Sequence, residues 1–464
     1  MSRSPAAPRR PSAHLRIADP TPAGIAGAIA RMITAGELLP GDRLPTVRSL
    51  AEELGVSPAT VSHGWQALAR SGLVVSRGRS GTFVAQGARR RPSAPSRTKT
   101  MAGLGGDVRW DLSLGAPDPR LLPEIAQSLA SVARRGETTN YHDPPVVPEL
   151  GELLSADWPT SSEALTIVDG ALDAVVRALE ATTRYGDRVI VENPTFPQFL
   201  DLLEAKGLHP VAVGLDGEGI RPGDLAAALE QRPSAAVIQP RAHNPTGRSM
   251  TPDRARELAR LLRGSSVMVI EDDHSGSVVP APDLSLGRWI PEQVLHIRSF
   301  SKSHGPDLRI AAMSGPADVI NTVVARRALG PGWTPRILQR LLYDLLCDPA
   351  AEASVARARA EYCRRRDALL GELGDTATAI TTGDGLNLWI PVDDERRALI
   401  HLAAEGIRVA PGAPFAVGTP QQDHVRVTIA PLDGDFPDVG RAVATAAAPL
   451  RRGEFYSLRG PRPR

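Results

Sequence analysis

At 464 residues the chain has room for two or three domains, and 42% hydrophobic with 23% charged residues is the balance of a soluble globular protein. No run of about 18 apolar residues occurs, so no membrane span is expected, and two cysteines, Cys347 and Cys363, exclude a disulfide framework and suit a reducing cytoplasm. The formal net charge of +2 hides an asymmetry: residues 1–100 hold 15 Lys/Arg and 5 Asp/Glu, a net of +10, and the remainder holds 39 and 47, a net of −8. A basic first fifth on a mildly acidic body suggests a module that faces nucleic acid. The opening "MSRSPAAPRRPSAHLR" is basic but lacks an apolar core, so no secretory signal is expected.

The first predicted helix starts at Thr21 and Pro22, a cap and a first helical position, and carries Ile25, Ile29, Met32 and Ile33 at helical spacing. "LLPGDRLP" turns the chain. A second helix follows from about Thr46, with Val47, Leu50, Ala51 and Leu54 as its apolar stripe and Gly55 as its stop. Ser57 caps a third, which begins at Pro58 and lines one face with Val61, Trp65 and Leu68. Its outward side chains, Thr60, Ser62, His63 and Gln66, are polar; Trp65 is assigned to the core. "LVVSRGRSGTFVA" reads as two short strands around a Gly/Arg/Ser tip. Two helices joined by a short turn, the second polar outside, followed by a strand pair, is a helix-turn-helix with a wing.

"GDRLPTVRSLAEELGVSPATVSHGWQALARSGLVVSRGRSGTFVA" resembles the winged helix-turn-helix of the GntR family of bacterial transcription regulators. The resemblance implies binding to double-stranded DNA by residues 14–86. Arg43, Arg48, Arg77 and Arg79 would then meet phosphates, and Ser57, Thr60 and His63 would lie near bases. Members often carry Arg early in the recognition helix; Pro58, Ala59 and Ser62 stand there instead.

Residues 87–109, rich in Arg, Pro, Ser and Gly, read as a flexible basic linker. Beyond it, short apolar runs alternate with helical stretches: "ALTIVDG", "RVIVENP", "HPVAVGL", "AAVIQP", "VMVIEDD" and "QVLHIRSF". Such runs are buried parallel strands, which predicts an open α/β sheet over residues 110–450. Chemistry in such sheets gathers where strands pass into loops. The Gly170–Ala171–Leu172 turn into a helix is an anion site by type. Phe196 sits at a Pro-bounded strand end, and Asn244 precedes Pro245 in "NPTG". Glu271, Asp272, Asp273 and His274 end another strand. Three acids together also admit a metal site or a helix cap, but no metal is expected. The tail, 451–464, reads as disordered.

Only three lysines occur, Lys99, Lys206 and Lys302; the other 51 cations are arginine. Arginine can fill a charge-only role, but only an amine can lose its proton and form a Schiff base with an aldehyde. Lys302 lies in "SFSKSHGPDLRI", with Ser299, Ser301, Ser303 and Arg309 around it. An amine, an acid for a pyridine nitrogen, an amide for a phenolate and an anion cradle form the set that pyridoxal 5′-phosphate requires.

In order and spacing these motifs resemble the fold type I aminotransferases. The resemblance implies Lys302 as the Schiff-base lysine, Asp272 at the ring nitrogen and Asn244 at the O3′ oxygen. It stacks Phe196 on the ring and places Gly170, Ala171, Leu172, Ser299 and Arg309 at the phosphate. Arg426 in "DHVRVTIAPL" would clamp a carboxylate. Tyr141 would reach the phosphate of a partner subunit. His274 stands where a tyrosine bonded to O3′ is usual, and its titration near neutral pH would make the ring pH-sensitive. "IVDGALDAV" replaces a neutral turn, so Asp169 and Asp173 are expected to point away from the phosphate.

The whole layout is similar to MocR-type regulators. It has an N-terminal winged helix-turn-helix, a linker, and a fold type I domain with a mostly parallel central sheet and a smaller C-terminal α+β subdomain. That similarity implies a cytoplasmic homodimer that binds promoter DNA and senses an amino acid, an amine or a vitamin B6 form. The alternative is an active aminotransferase with an appended DNA-binding domain.

Overall fold

The structure, a computed structural model, describes residues 17, 19–35, 37–70, 73–85, 97, 108–135, 140–161, 163–374, 376–380 and 383–448. Most of the predicted linker, residues 14–16 and the tail 451–464 lie outside them. The chain divides into two compact units. One holds residues up to 96 with 183–189 and 199–211; the other holds 97–182, 190–198 and 212 onward.

In the first unit, helix α1 (Pro22–Ala35) begins where Thr21 Oγ1 accepts the Gly24 amide at 3.1 Å. Thr46 caps α2 (Val47–Leu54) by accepting the Ser49 amide, and Gly55 ends it in a left-handed conformation, φ 66°. Ser57 Oγ accepts the Thr60 amide at 3.1 Å and starts α3 (Pro58–Arg70). Ile25, Ile29, Ile33, Leu50, Val61 and Leu68 fill the space between the helices. Trp65, 5% exposed, joins them as expected. Strands β1 (Val74–Ser76) and β2 (Thr82–Val84) pair antiparallel, Val74 opposite Val84, and form the wing.

The second large region opens with β3 (Trp110–Leu112). An eight-stranded sheet is built from β4 (Ala164–Val168), β5 (Arg188–Asn193), β6 (His209–Asp216), β7 (Gly219–Ile220), β8 (Ala235–Ile238), β9 (Met268–Asp273), β10 (Val294–Ser299) and β11 (Ala311–Gly315). Their order is β4-β11-β10-β9-β8-β5-β6-β7. Every residue of β8, β10 and β11 is buried, as runs covered on both faces require. The pairs β8/β9 and β9/β10 are parallel, whereas β11 is antiparallel to both β10 and β4. Two antiparallel steps return β4 to the direction of β10. The C-terminal ends of β4, β8, β9 and β10 therefore share one edge of the sheet.

A second sheet runs β12-β14-β13-β3, with β12 (Asn387–Val392), β13 (Ile407–Pro411) and β14 (Asp423–Thr428). Its inner face packs Leu388, Ile390, Val409, Val425 and Val427 against helices Pro349–Glu372 and Phe436–Ala447. This is the smaller C-terminal subdomain. No helix among the described residues is long and apolar enough to cross a membrane.

Candidate functional site

The shared strand edge gathers the polar residues that follow β4, β8, β9 and β10. Successive side chains of a strand face opposite ways, and the three acids of β9 show it. Glu271 accepts the Leu286 amide at 2.7 Å and lies 2.9 Å from His296 Nδ1, while Asp273 pairs with Arg241 at 2.8 Å. Asp272 is turned the other way. It is 4% exposed, its Oδ2 accepts Gln239 Nε2 at 2.8 Å, and its Oδ1 has no partner among the described residues. Burial pushes the Asp272 carboxyl up to about 6, although the Gln239 hydrogen bond and Lys302 pull the other way. Among the described residues no group of His, Cys, Asp and Glu could hold a metal.

Lys302 follows β10 by three residues. Burial draws its ammonium down to about 8; the Asp272 charge opposes this and the Arg426 charge adds to it. Near neutral pH a buried amine so shifted is neutral far more often than a free lysine. His274 is held well below its ordinary range by burial first, then by the charges of Lys302, Arg241 and Arg426. The expectation that it titrates near neutral pH is therefore corrected: its imidazole stays neutral there.

Asn244 donates its amide N–H to Gln239 Oε1 at 2.9 Å and accepts Arg426 Nη1 on its Oδ1 at 3.0 Å. That contact orients the side-chain amide, with oxygen toward the guanidinium and nitrogen the other way. Arg426 stands on β14, 1% exposed, with its other terminal nitrogen on the Ser113 carbonyl and its plane 5.1 Å from the Phe415 ring. Burial pulls it down to about 10. Its hydrogen-bond acceptors are neutral oxygens, and among the described residues the buried cation has no acid at contact distance.

At the end of β4, Gly170 takes φ +99°, and helix Ala171–Thr182 starts directly after it. A Cβ there would lie 3.4 Å from Arg309 Nη2, which also donates to the Asp169 carbonyl at 3.4 Å. The glycine turn, a helix N-terminus and an exposed guanidinium thus converge. Asp169 is engaged by Arg327 at 3.0 Å and Thr334 at 2.6 Å, and Asp173 by Arg177 at 2.7 Å. Ser299 Oγ, buried, accepts the Ser301 amide at 3.3 Å. Phe196 is half-buried just beyond β5. Tyr141 is 88% exposed, its ring 6.1 Å from that of Trp333.

Sequence reasoning missed Gln239, which bridges Asp272 and Asn244, and Asn387, which accepts Thr428 Oγ1 at 2.9 Å and donates to Asn244 Oδ1 at 3.5 Å. A polar residue directly after the apolar run "AAVI" was the available signal for Gln239.

In the first unit Arg43, Arg48, Arg77 and His63 are exposed. Arg77 lies over the Phe83 ring at 5.2 Å, and the Arg43 guanidinium covers Gly81. The Ser57 and Thr60 hydroxyls bond to each other at 2.9 Å while Ser57 also caps α3. Arg79 lies in the turn between β1 and β2, its side chain outside the described residues.

Fold and site together define a fold type I aminotransferase-like domain carried with a winged helix-turn-helix. Residues 110–435 match the family "Aminotransferase class I and II", and residues 22–84 match "Bacterial regulatory proteins, gntR family". Among solved structures the fold is similar to LysN, the alpha-aminoadipate aminotransferase of Thermus thermophilus complexed with N-(5′-phosphopyridoxyl)-L-leucine. The TM-score is 0.67 at 21% identity, over 76% of this chain and 95% of that one. It is also similar to the aspartate aminotransferase of Thermus thermophilus with maleate, with TM-score 0.63 at 25% identity over 73% and 92%. The chain is 35% identical to the vitamin B6 salvage pathway transcriptional repressor PtsJ of Salmonella typhimurium, across 88% of this chain and 93% of PtsJ. It is 30% identical to the HTH-type transcriptional regulator TauR of Rhodobacter capsulatus, across 82% and 87%. The chain belongs to this family, the MocR-type transcriptional regulators, which join a GntR-type DNA-binding domain to an aminotransferase-like domain.

Proposed function

We propose that this regulator holds pyridoxal 5′-phosphate through Lys302 and senses an amino acid, an amine or a vitamin B6 form, changing its hold on promoter DNA in response. The observation that carries the reading is the buried Asp272 carboxyl, with the Lys302 amine near enough that the charge of each acts on the other. The amine is drawn toward its neutral, nucleophilic form, and the acid keeps one oxygen without a partner. A buried carboxylate oxygen left bare is costly unless a donor comes to it, and the cofactor's protonated ring nitrogen is such a donor.

The other residues fit the same group. Asn244 and the neutral His274 would donate to its phenolic oxygen, and Phe196 would cover the ring. The Gly170–Ala171–Leu172 turn, Ser299 and Arg309 would receive the phosphate. Bound there, the cofactor supplies an aldehyde for amines and an electron-withdrawing ring. Arg426, a buried cation with only neutral oxygens as acceptors, would take an effector carboxylate in bidentate fashion. The similarity to PtsJ, a repressor of vitamin B6 salvage, favours a vitamin B6 form as one candidate effector. Tyr141, exposed in the single chain, is assigned to the phosphate of a second copy in a homodimer. Arg43, Arg48, Arg77 and Arg79 would meet DNA phosphates, and Ser57, Thr60 and His63 base edges. A cytoplasmic location suits these roles.

The test measures absorbance and DNA affinity together, with protein loaded with pyridoxal phosphate and DNA from upstream of its own and neighbouring genes. A visible band that shifts with one amino compound, together with a changed affinity, is expected. No band in the loaded protein would reject the reading. Repeated turnover with a keto acid would instead establish an active aminotransferase.

A further inference from the structure

Gln239 is a neutral, 3% exposed side chain between two groups assigned to the cofactor. It directly follows β8. The register of β8 against β9 sets Ile238 opposite Glu271, so the next rung brings Gln239 beside Asp272. Three hydrogen bonds fix it. Its backbone N–H donates to Glu192 Oε2 at 2.9 Å, its Nε2 donates to Asp272 Oδ2 at 2.8 Å, and its Oε1 accepts the Asn244 N–H at 2.9 Å. The amide can sit only one way round. A backbone N–H can only donate, so the oxygen must face Asn244 and the NH₂ must face Asp272.

We infer that Gln239 is a positioning residue: it locks the acid meant for the ring nitrogen and the asparagine meant for the phenolic oxygen into one frame. The inference rests on the cofactor reading for its purpose, but the geometry belongs to the chain alone. Among the described residues Gln239 supplies the only hydrogen bond that the Asp272 side chain accepts. It occupies Oδ2 and leaves Oδ1 bare for a donor. The charged and titratable groups coupled to Asp272 come from every neighbouring element: Lys302 beyond β10, His296 on β10, Asp273 beside it on β9, and Glu192 on β5. Lys302 and His296 favour its anion and Asp273 opposes it, while Asp272 in turn helps to raise Glu192. None of them touches the carboxylate as Gln239 does.

The inference gives Gln239→Leu a measurable consequence. The Asp272 anion loses its hydrogen bond and holds a proton to higher pH. In cofactor-free protein, carbon-13 NMR of labelled aspartate, with the Asp272 signal assigned by its loss in Asp272→Asn, should show its midpoint rising by about one unit. In loaded protein the pH at which the visible band converts should rise as well, because the more basic carboxylate would draw the shared proton away from the ring nitrogen and leave the ring less electron-withdrawing. Gln239→Asn, one methylene too short to span both partners, should move both midpoints the same way. If Gln239→Leu does not fold, the Asn variant decides. Unmoved midpoints in a folded variant overturn the inference. A missing band in loaded wild-type protein would count against the cofactor reading, while the NMR midpoint would still decide the role of Gln239.

Discussion

Lys302 is one of three lysines in a chain whose other 51 cations are arginine, and burial lowers its amine, as the proposed attachment of the cofactor requires. An ordinary lysine amine is almost wholly protonated at neutral pH. Burial brings Lys302 to about 8. The rate at which cofactor-free protein captures pyridoxal phosphate, divided by the rate for a free lysine amine at the same pH, should therefore climb as pH falls from about 10.5. It should level off below about 8. A flat ratio across that range would mean that Lys302 is not the capturing amine. Lys302→Arg keeps the charge and removes the deprotonatable amine, so the loaded variant should show no visible band. A retained band would move the attachment to Lys99 or Lys206.

At this scale the sequence was most informative where chemistry is rare. A lone lysine, an acid at a strand end and "NPTG" could each be read by type. Gln239 could not, because its importance lies in two partners 33 and 5 residues away, a property of strand register. The pH behaviour of His274 was likewise set by burial and by neighbouring cations that the sequence does not place together.

Among the elements, those with local instructions were the legible ones. Thr46, Gly55 and Ser57 mark helix ends by hydrogen bonds to residues a few positions away, and α2 and α3 begin and end there. All six long apolar runs became strands; β8 and β10 are buried along their whole length, as burial on both faces requires, whereas β6 alternates between buried and exposed positions. Strand β11, "AAMSG", was missed: it is short, small and polar at one end, and it is held by antiparallel neighbours on both sides. The strands of the smaller sheet were missed for a similar reason, since β3 pairs with β13, nearly three hundred residues later.

Two predictions belong to the DNA-binding elements. Arg48, exposed on α2, is assigned to a phosphate, so Arg48→Ala should weaken binding to every DNA sequence alike and reduce the salt slope by about 1. An unchanged slope in titrations at several salt concentrations would remove it from the contact set. Gly81 opens β2 at φ +104°, and a Cβ there would lie 2.9 Å from Arg43 Nε. Gly81→Ala should therefore strain the wing and displace Arg43. DNA affinity should fall while the α1–α3 core, judged by its helical circular dichroism, stays folded.

For the whole molecule, the assigned sites fall in different units: the DNA-facing arginines in one, Lys302 and Arg426 in the other. A regulator needs a coupling free energy between two such sites, and thermodynamics makes that coupling reciprocal. If an effector changes affinity for the promoter by some factor, the promoter must change affinity for that effector by the same factor, commonly about 5- to 150-fold. This can be checked without knowing how the signal travels. Effector affinity is read from the visible band with and without DNA, and DNA affinity with and without effector. Equal factors are expected, whether the effector strengthens or loosens the grip. Lys302→Arg should bring the effector's factor on DNA affinity to one while leaving the salt-dependent contacts assigned to Arg43, Arg48 and Arg77 in place. If that variant still answered the effector with an undiminished factor, sensing would not pass through the cofactor, and the buried site would have to serve some other purpose.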